Sequence, residues 1–295
     1  MESRAIASPG LALALAAALL LPLSACGPTA DQLRAREESA SATPLQPRTA
    51  APRPTETPVP TPVQPTPTTP ARVGVTGSQA GMPAPVQDAC QWLLRRDTAP
   101  MPAAEAGECI SAAMAAGGGA VQTLETETSW LPAGTYTVAF ATTPEFALEL
   151  NNEELDVHVS IREGRRELRQ AGSAVSANPD GTAEEAYAAV MANAAELTVR
   201  PERLAGMVAS ARPVEVAYAA PLDGALFTRI TGSFDTAGRE APPDPASGAE
   251  IPAGSFTLFL DDYYRPVRIE ILGLNQGISS RITAVNSQWG TVPAP

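Results

Sequence analysis

Short segments in which apolar and polar residues alternate fill much of the chain after residue 130. In "GTYTVAFA", Tyr136, Val138 and Phe140 are separated by small or polar residues. A period of two places successive side chains on opposite faces of a β-strand, so each such segment predicts a strand with one apolar and one solvated face. About nine segments show this pattern. Their other apolar positions are Phe146, Leu148, Leu150, Leu155, Val157, Val159, Ile161, Val214, Val216, Tyr218, Phe256, Leu258, Leu260, Val267, Ile269 and Ile271.

Several other segments carry helical signals. Cys90 to Arg96 and Ala103 to Ala116 are predicted as helices, the second ended by the glycine run at 117–119. In "TAEEAYAAVMANAAEL" the apolar residues recur at helical spacing, and Thr182 with Glu185 matches a capping box. Pro201 to Ser210 predicts one more short helix. The apolar positions of the "TAEEAYAAVMANAAEL" segment are Tyr187, Val190, Met191, Ala194 and Leu197.

The apolar strand surface exceeds what these helices can cover. Nine strands at about 4.8 Å spacing form a sheet roughly 40 Å wide, whereas a helix is about 10 Å across. The sheet could curl into a half barrel around its helices, close on itself, or leave apolar surface as a binding cavity. The residues that could line this cavity, or equally be ordinary core residues, are Tyr136, Val138, Phe140, Phe146, Leu148, Val190, Met191, Phe256, Leu258, Val267 and Ile269.

The N-terminus has the organisation of a signal peptide, predicted over residues 1–25. A short apolar run ends in Leu23-Ser24-Ala25-Cys26, and it is too short for a membrane span of about 20 residues. This order resembles a bacterial lipobox, which implies cleavage before Cys26 and a diacylglycerol and palmitate anchor on its thiol. An ordinary secretory signal is the alternative. The expected location is outside the cytoplasm, on the outer face of the cell membrane.

Residues 26–85 are predicted to be a disordered linker and residues 86–295 a single folded domain. Proline and threonine fill 18 of the 28 positions from Thr43 to Pro70, a composition that cannot bury a core. Cys90 and Cys109 remain as an even pair once Cys26 is acylated. We expect them to form one disulfide that closes a loop of 20 residues, although two free buried thiols are the alternative.

The composition argues against several classes of function. The formal net charge is −12 and no basic stripe is present, which argues against nucleic-acid binding. The single histidine, His158, lies on the polar face of a predicted strand, so no zinc site or catalytic triad can be built around it. Asp261 and Asp262 favour a turn over a cation or sugar site. We therefore expect no enzymatic activity, cofactor or metal.

Two blocks near the C-terminus carry a family resemblance. "FTLFLDDYYRPVRIEILG" followed by "SSRITAVNSQWGTVPAP" resembles the end of the LppX/LprG lipoprotein family of actinobacteria, where a strand with acidic residues turns into an Arg-containing strand and the last strand closes on Trp-Gly. Trp289, Gly290, Val292 and Pro293 match that ending. All 20 basic residues are arginine, a bias that also suggests an actinobacterial, high-GC source.

The resemblance implies a LolA-like α+β fold, in which a large antiparallel sheet curls as a half barrel with helices on its concave face. It also implies a hydrophobic cavity that carries acylated lipids or lipoglycans between membrane layers. The expected partners are a membrane, through acylated Cys26, and a lipid ligand, and the expected state is a monomer. The alternative function is a non-catalytic surface interaction or sensor module that has the same fold and a packed core.

Overall fold

The computed structural model describes residues 72–235, 253–275 and 278–291, all within one compact unit, Thr68–Pro295. The predicted signal peptide, Cys26, Val292 and Pro293 lie outside these residues. The packed structure includes part of the segment predicted as linker, because Met82 is buried in the core. None of the helices in the described part of the chain is long and apolar enough to cross a membrane.

From residue 72 onward, a short 3-10 helix (Gly77–Gln79) and three α-helices precede the sheet: α1 (Ala84–Ala89), α2 (Gln91–Arg95) and α3 (Ala103–Gly117). Proline occupies the position before α1 and before α3, where its missing N–H costs nothing. α3 is followed by Gly118, whose φ of 73° is left-handed and suits glycine. The two helices predicted here are thus confirmed as α2 and α3, whereas α1, which lies before the turn at Cys90, was not predicted.

Two further helices lie between the two groups of strands: α4 (Ala183–Glu196) and α5 (Pro201–Ala209). The predicted capping box begins α4. The Glu185 N–H donates to the Thr182 hydroxyl, and the Thr182 N–H donates to the Glu185 carboxylate at 2.7 Å. The side chain of Tyr187, predicted on the apolar face of this helix, is 40% exposed, because alanines occupy the face that packs against the sheet.

In the part of the chain that the structure describes, eleven strands form one antiparallel, open sheet in the order β6-β5-β4-β3-β2-β1-β11-β10-β9-β8-β7. This confirms the α+β class with a large antiparallel sheet, with two strands more than the nine predicted. The strands are β1 (Gly119–Glu127), β2 (Gly134–Ala141), β3 (Ala147–Asn152), β4 (Val157–Arg162), β5 (Arg165–Gln170), β6 (Ser173–Ser176), β7 (Ala211–Leu222), β8 (Ala225–Asp235), β9 (Ala253–Leu260), β10 (Pro266–Asn275) and β11 (Ile278–Ser287).

The alternation read from the sequence corresponds to the buried face of this sheet, which we call the inner face. One continuous apolar row crosses the inner face from β2 to β8. Each residue of the row lies directly opposite the next one on the neighbouring antiparallel strand. In strand order it consists of Tyr136, Leu124, Ala284, Ile269, Leu258 and Ile230, all at most 3% exposed. A row of this kind is the sheet analogue of a hydrophobic helix face, and it forms the base of the core.

Two predicted inner-face positions differ from the alternation. Val267 is only partly buried because the register between β9 and β10 shifts between Pro266 and Arg268, and Pro266 takes the buried position. Such a bulge places one extra residue in a strand and interrupts the period of two. Leu155 is 39% exposed because it lies in the turn before β4 rather than in a strand.

Two hairpin turns have the backbone that their sequences favour. Asp223 and Gly224 connect β7 to β8 with φ values of 50° and 83°, and Glu163 and Gly164 connect β4 to β5 with 50° and 75°. Two consecutive positive φ angles match the right-handed twist of a two-residue hairpin, and a glycine in the second position adopts one without strain.

The helical N-terminal segment is fixed at two points. Cys90 and Cys109 form the predicted disulfide, with Cα atoms 4.7 Å apart, which joins the α1–α2 turn to α3. At the other end of α3, Gly117 packs against Trp289, whose indole N–H donates to the Pro266 carbonyl at 3.3 Å. The Trp-Gly motif of the C-terminus therefore closes over the end of α3.

The disulfide contributes to stability through the loop it closes. We expect the double variant Cys90→Ala/Cys109→Ala to lower the free energy of unfolding by about 3 kcal/mol, because a 20-residue loop is no longer closed in the unfolded chain. Urea denaturation with and without a reductant measures this. The reductant should destabilise only the parent protein, and equal stability of the parent with and without it contradicts the prediction.

The contact between Gly117 and Trp289 predicts an unusual response to alanine. Alanine normally stabilises a helix relative to glycine by up to about 1 kcal/mol, but a Cβ at 117 would lie 2.6 Å from Trp289 Cε3. We expect Gly117→Ala to destabilise the fold by about 1–3 kcal/mol. Gly206→Ala in α5 is the matched control, because its Cβ meets no atom within 4 Å, and it should stabilise. Thermal unfolding of both variants tests this prediction. A change in stability of the same sign in both variants contradicts it.

Candidate functional site

The inner face of the sheet gathers most of the residues that were predicted to line a lipid cavity. Seven of the eleven have no exposed surface, and Phe256 is 2% exposed. Phe146 packs against the edge of the same core cluster, and Val190 and Val267 are partly buried. The seven fully buried residues are Tyr136, Val138, Phe140, Leu148, Met191, Leu258 and Ile269.

Complete burial has a direct meaning for a cavity. A side chain with no exposed surface touches no void large enough for a water molecule, so protein atoms surround these seven residues on every side. Among the voids lined by described residues, the one between the inner face and α4 has a volume of about 10 Å³, which is room for about one water. It is lined by Leu124, Thr126, Thr128, Trp130, Leu131, Ala194, Thr198 and Ile282. That the eleven predicted residues line a lipid cavity stays a prediction.

Helix α4 covers the part of the sheet formed by β4, β5 and β6. Its buried face is made mostly of alanine, with one large apolar side chain, Met191. Alanine carries only one methyl group, so the contact is close and holds less apolar side-chain area than a leucine-rich helix would. The buried alanines are Ala188, Ala189, Ala192, Ala194 and Ala195.

A chain of buried hydrogen bonds crosses the sheet beside the C-terminal end of α4. The Thr198 hydroxyl donates to Gln122 Oε1 at 2.8 Å, and Gln122 Nε2 donates to Asn286 Oδ1 at 2.8 Å. Asn286 Nδ2 then donates to the Pro266 carbonyl at 2.9 Å. Buried polar groups are tolerated when they are paired in this way. This chain fixes the α4–α5 connection over β1, β11 and β10.

A group of charged and polar side chains lies where α4 ends, and we call it the arginine cluster: Arg166, Asn193, Glu196, Arg200 and Arg203. The carboxylate of Glu196, 1% exposed, lies 2.9 Å from Arg166 Nη2 and 2.8 Å from Arg200 Nε. Arg166 Nη1 donates to Asn193 Oδ1 at 3.0 Å, and Arg203 Nη1 donates to the Asn193 carbonyl at 2.5 Å.

An aromatic ring adjoins this cluster. The guanidinium carbon of Arg200 lies 4.1 Å from the centre of the Phe146 ring, a cation–π distance. Arg166 occupies the inner-face position of β5 that pairs with Ile161, which in turn pairs with Leu148 and then Phe140. The arginine cluster therefore stands at the end of an apolar row that contains two of the predicted cavity residues.

The sequence reasoning missed both polar groups, for different reasons. Gln122 and Asn286 interrupt the apolar side of an alternating pattern, two residues from Leu124 and Ala284, so the period of two could have identified them as buried polar residues. Arg166 and Glu196 carry no such signal. They are 30 positions apart in the chain, and only the packing of α4 on β5 brings them together.

The remaining polar candidates have structural roles. Asp261 accepts hydrogen bonds from the Tyr263 and Arg265 N–H groups and from Arg265 Nε at 2.8 Å, so it caps the predicted turn. His158 is partly buried between Asn151 and Arg169 on the other face of the sheet. Within the ranges that the structure describes, no group of three or more His, Cys, Asp or Glu side chains could hold a metal ion.

Tyr136, at the β2 end of the apolar row, remains a neutral phenol. Burial, and to a smaller extent the neighbouring Tyr187, raises its pKa to about 12. Its hydroxyl donates to the Pro132 carbonyl at 2.7 Å. The same cause, burial, raises the pKa of Tyr218 to about 12. Neither hydroxyl is therefore suited to act as a base near neutral pH.

Two larger depressions lie away from the inner face of β2–β5. One, of about 150 Å³, lies between α1, α3 and the turn that contains Tyr263 and Arg265. The other, of about 300 Å³, lies along β9, β10 and β11, where Arg268, Glu270 and Arg281 contribute to its wall. Both have polar walls in part, unlike the apolar inner face.

Comparison with known proteins gives no match to a family model and no match among curated proteins. Among solved structures, the chain is similar to LprF from Mycobacterium bovis, with a TM-score of 0.41 and 17% identity over 66% of this chain and 97% of that one. It is also similar to the lipoprotein LppX of Mycobacterium tuberculosis, with a TM-score of 0.41 and 17% identity over 64% of this chain and 95% of that one.

Proposed function

We propose that this protein is a cell-envelope lipoprotein that binds an acylated lipid or lipoglycan between its sheet and α4 and carries it across the aqueous space next to the membrane. The observation that carries the proposal is the pairing of a continuous apolar inner face with a covering helix whose buried side is mostly alanine. The proposed role requires no catalysis.

The physical need for a carrier follows from the size of the ligand. Exposing two chains of about 16 carbons to water costs on the order of 25 kcal/mol, at about 0.8 kcal/mol for each methylene. Spontaneous transfer of such a lipid through water is therefore slow. A protein that offers a continuous apolar surface removes most of this cost during transfer.

The close packing of the inner face requires α4 to move when a lipid enters. Tyr136, Phe140 and Leu148 have no free space around them, so an acyl chain must separate the helix from the sheet. A helix that packs through alanines loses little side-chain contact when it moves outward, and methylenes of the lipid replace that contact. The predicted cavity residues then become the walls of the opened site.

The anchor and linker belong to the same proposal. Acylation of Cys26 would hold the chain on the outer face of the cell membrane, and the 28 residues from Thr43 to Pro70 would reach roughly 90 Å when extended at about 3.1 Å per residue. A disulfide between Cys90 and Cys109 is consistent with export to an oxidising compartment. A tethered carrier of this kind loads and unloads without leaving its membrane.

A second candidate function rests on the same burial data. A protein whose inner face is filled by its own side chains could serve as a surface interaction or sensor module that never opens. The seven predicted cavity residues without exposed surface favour this candidate. The two functions differ in one measurable property, the uptake of lipid.

Lipid content and uptake decide between them. We expect the chain from residue 26 onward, carrying Cys26→Ser so that the protein itself is not acylated, to co-purify from an actinobacterial host with lipid detected by native mass spectrometry. After delipidation it should take up a fluorescent diacyl lipid. Identical masses before and after delipidation, together with no uptake of the probe, contradict the carrier and support the packed module.

A matched pair of phenylalanine variants locates the lipid. Phe146→Ser removes a partly buried ring that packs against the core edge next to Arg200, and it should weaken uptake about tenfold through lost apolar contact. Phe227→Ser removes a ring of similar exposure on β8 and should leave uptake unchanged. Equal effects of the two substitutions contradict the proposed site.

A further inference from the structure

We propose that the arginine cluster binds the anionic, phosphate-type headgroup of the carried amphiphile. This inference rests on the proposed function, because it assigns the polar end of a ligand whose acyl chains lie between α4 and the inner face. The cluster contains three guanidinium groups, of Arg166, Arg200 and Arg203, around one buried carboxylate, Glu196.

The charge of the cluster is opposite to that of the chain. The Arg166 and Arg200 guanidinium groups share the single Glu196 carboxylate, so this contact has one positive charge in excess, whereas the formal net charge of the whole protein is −12. Guanidinium groups bind carboxylates and phosphates through paired, charge-assisted hydrogen bonds. A local excess of this kind suits an anion better than a neutral or cationic group.

Unused donors point to a missing acceptor. Among the described residues, the buried side-chain polar atoms without a hydrogen bond are Asn193 Nδ2 and Arg200 Nε, and both belong to this cluster. Arg200 Nε lies 2.8 Å from Glu196 Oε2, so it forms an ion pair whose N–H is not aligned as a hydrogen bond. Buried donors normally find partners. The oxygens of a phosphate are acceptors, so one bound here would supply the acceptor that Asn193 Nδ2 lacks and a better-aligned acceptor for Arg200 Nε.

The surroundings suit the junction between a headgroup and an acyl chain. Phe146 lies under the Arg200 guanidinium at 4.1 Å, and Arg166 ends the inner-face row that continues through Ile161 and Leu148. A ligand with a charged end in the cluster therefore has apolar side chains directly beside it. This arrangement favours an anionic amphiphile over a free anion.

Glu196 occupies the position that the headgroup would take. Its carboxylate holds Arg166 and Arg200 together while the site is closed, and the two guanidinium side chains are 27% and 29% exposed. They can swing toward solvent to meet an entering anion, which then competes with Glu196 for the same donors. Removal of the Glu196 charge should therefore strengthen anion binding.

The test compares four probes on the delipidated chain from residue 26 onward carrying Cys26→Ser. The probes are phosphatidylglycerol, phosphatidylcholine, diacylglycerol with the same acyl chains, and glycerol phosphate without chains. We expect phosphatidylglycerol to bind at least about tenfold more tightly than diacylglycerol, which is the effect of one charge-assisted contact or more. The affinity for phosphatidylcholine should lie between those for phosphatidylglycerol and diacylglycerol.

Three variants separate recognition from folding. Glu196→Gln should tighten phosphatidylglycerol binding about threefold to tenfold, a change of sign that a destabilised protein does not produce. Arg166→Gln should weaken phosphatidylglycerol binding by a similar factor and leave the affinity for diacylglycerol unchanged. Arg229→Gln, on the exposed face of β8, is the control and should change neither. Circular dichroism and thermal unfolding identify any variant that has not folded.

The results distinguish the headgroup site from the carrier function. Equal binding of phosphatidylglycerol and diacylglycerol overturns the headgroup site and leaves the carrier intact. If glycerol phosphate binds and none of the three lipid probes binds, the carrier function is overturned and the cluster is only an anion site. No change in phosphatidylglycerol binding by folded Glu196→Gln and Arg166→Gln overturns the assignment to these residues.

Discussion

The antiparallel pairing of β1 with β11 is the interaction on which the rest of this structure depends. The chain forms two meanders, β1 to β6 and β7 to β11, and this pairing alone among the described strands joins them. The apolar inner row from Tyr136 to Ile230 exists because the join places Leu124 opposite Ala284. Without it, two smaller sheets would each expose an apolar face.

Buried side-chain hydrogen bonds strengthen the same β1–β11 pairing. Gln122 and Asn286 face each other across β1 and β11, and their hydrogen bond is extended to Thr198 in the α4–α5 connection. One polar chain thus sets both the sheet register and the position of the helix end above it. Because Glu196 and Arg200 flank Thr198 closely in sequence, the arginine cluster is positioned by the same contact. The proposed headgroup site and the proposed chain site therefore share one support.

Much of the fold could be predicted from local patterns. The capping box at Thr182, the end of α3 at the glycine run and the hairpins at Glu163–Gly164 and Asp223–Gly224 depend on residues within a few positions of one another. β6 was missed because "SAVS" has too few apolar residues to show a period. Val267 was assigned to the wrong environment because a bulge cannot be read from alternation.

Alternation, caps and turn residues in the sequence are enough to predict about nine strands with one apolar face and a few helices, because each of these signals is local. The even pair Cys90 and Cys109 is likewise enough to predict the disulfide. The order of the strands, the filling of the inner face and the meeting of Arg166, Asn193 and Glu196 came from the folded chain. These features join residues as far apart as Gln122 and Asn286, 164 positions along the chain, and no local period carries information over that distance.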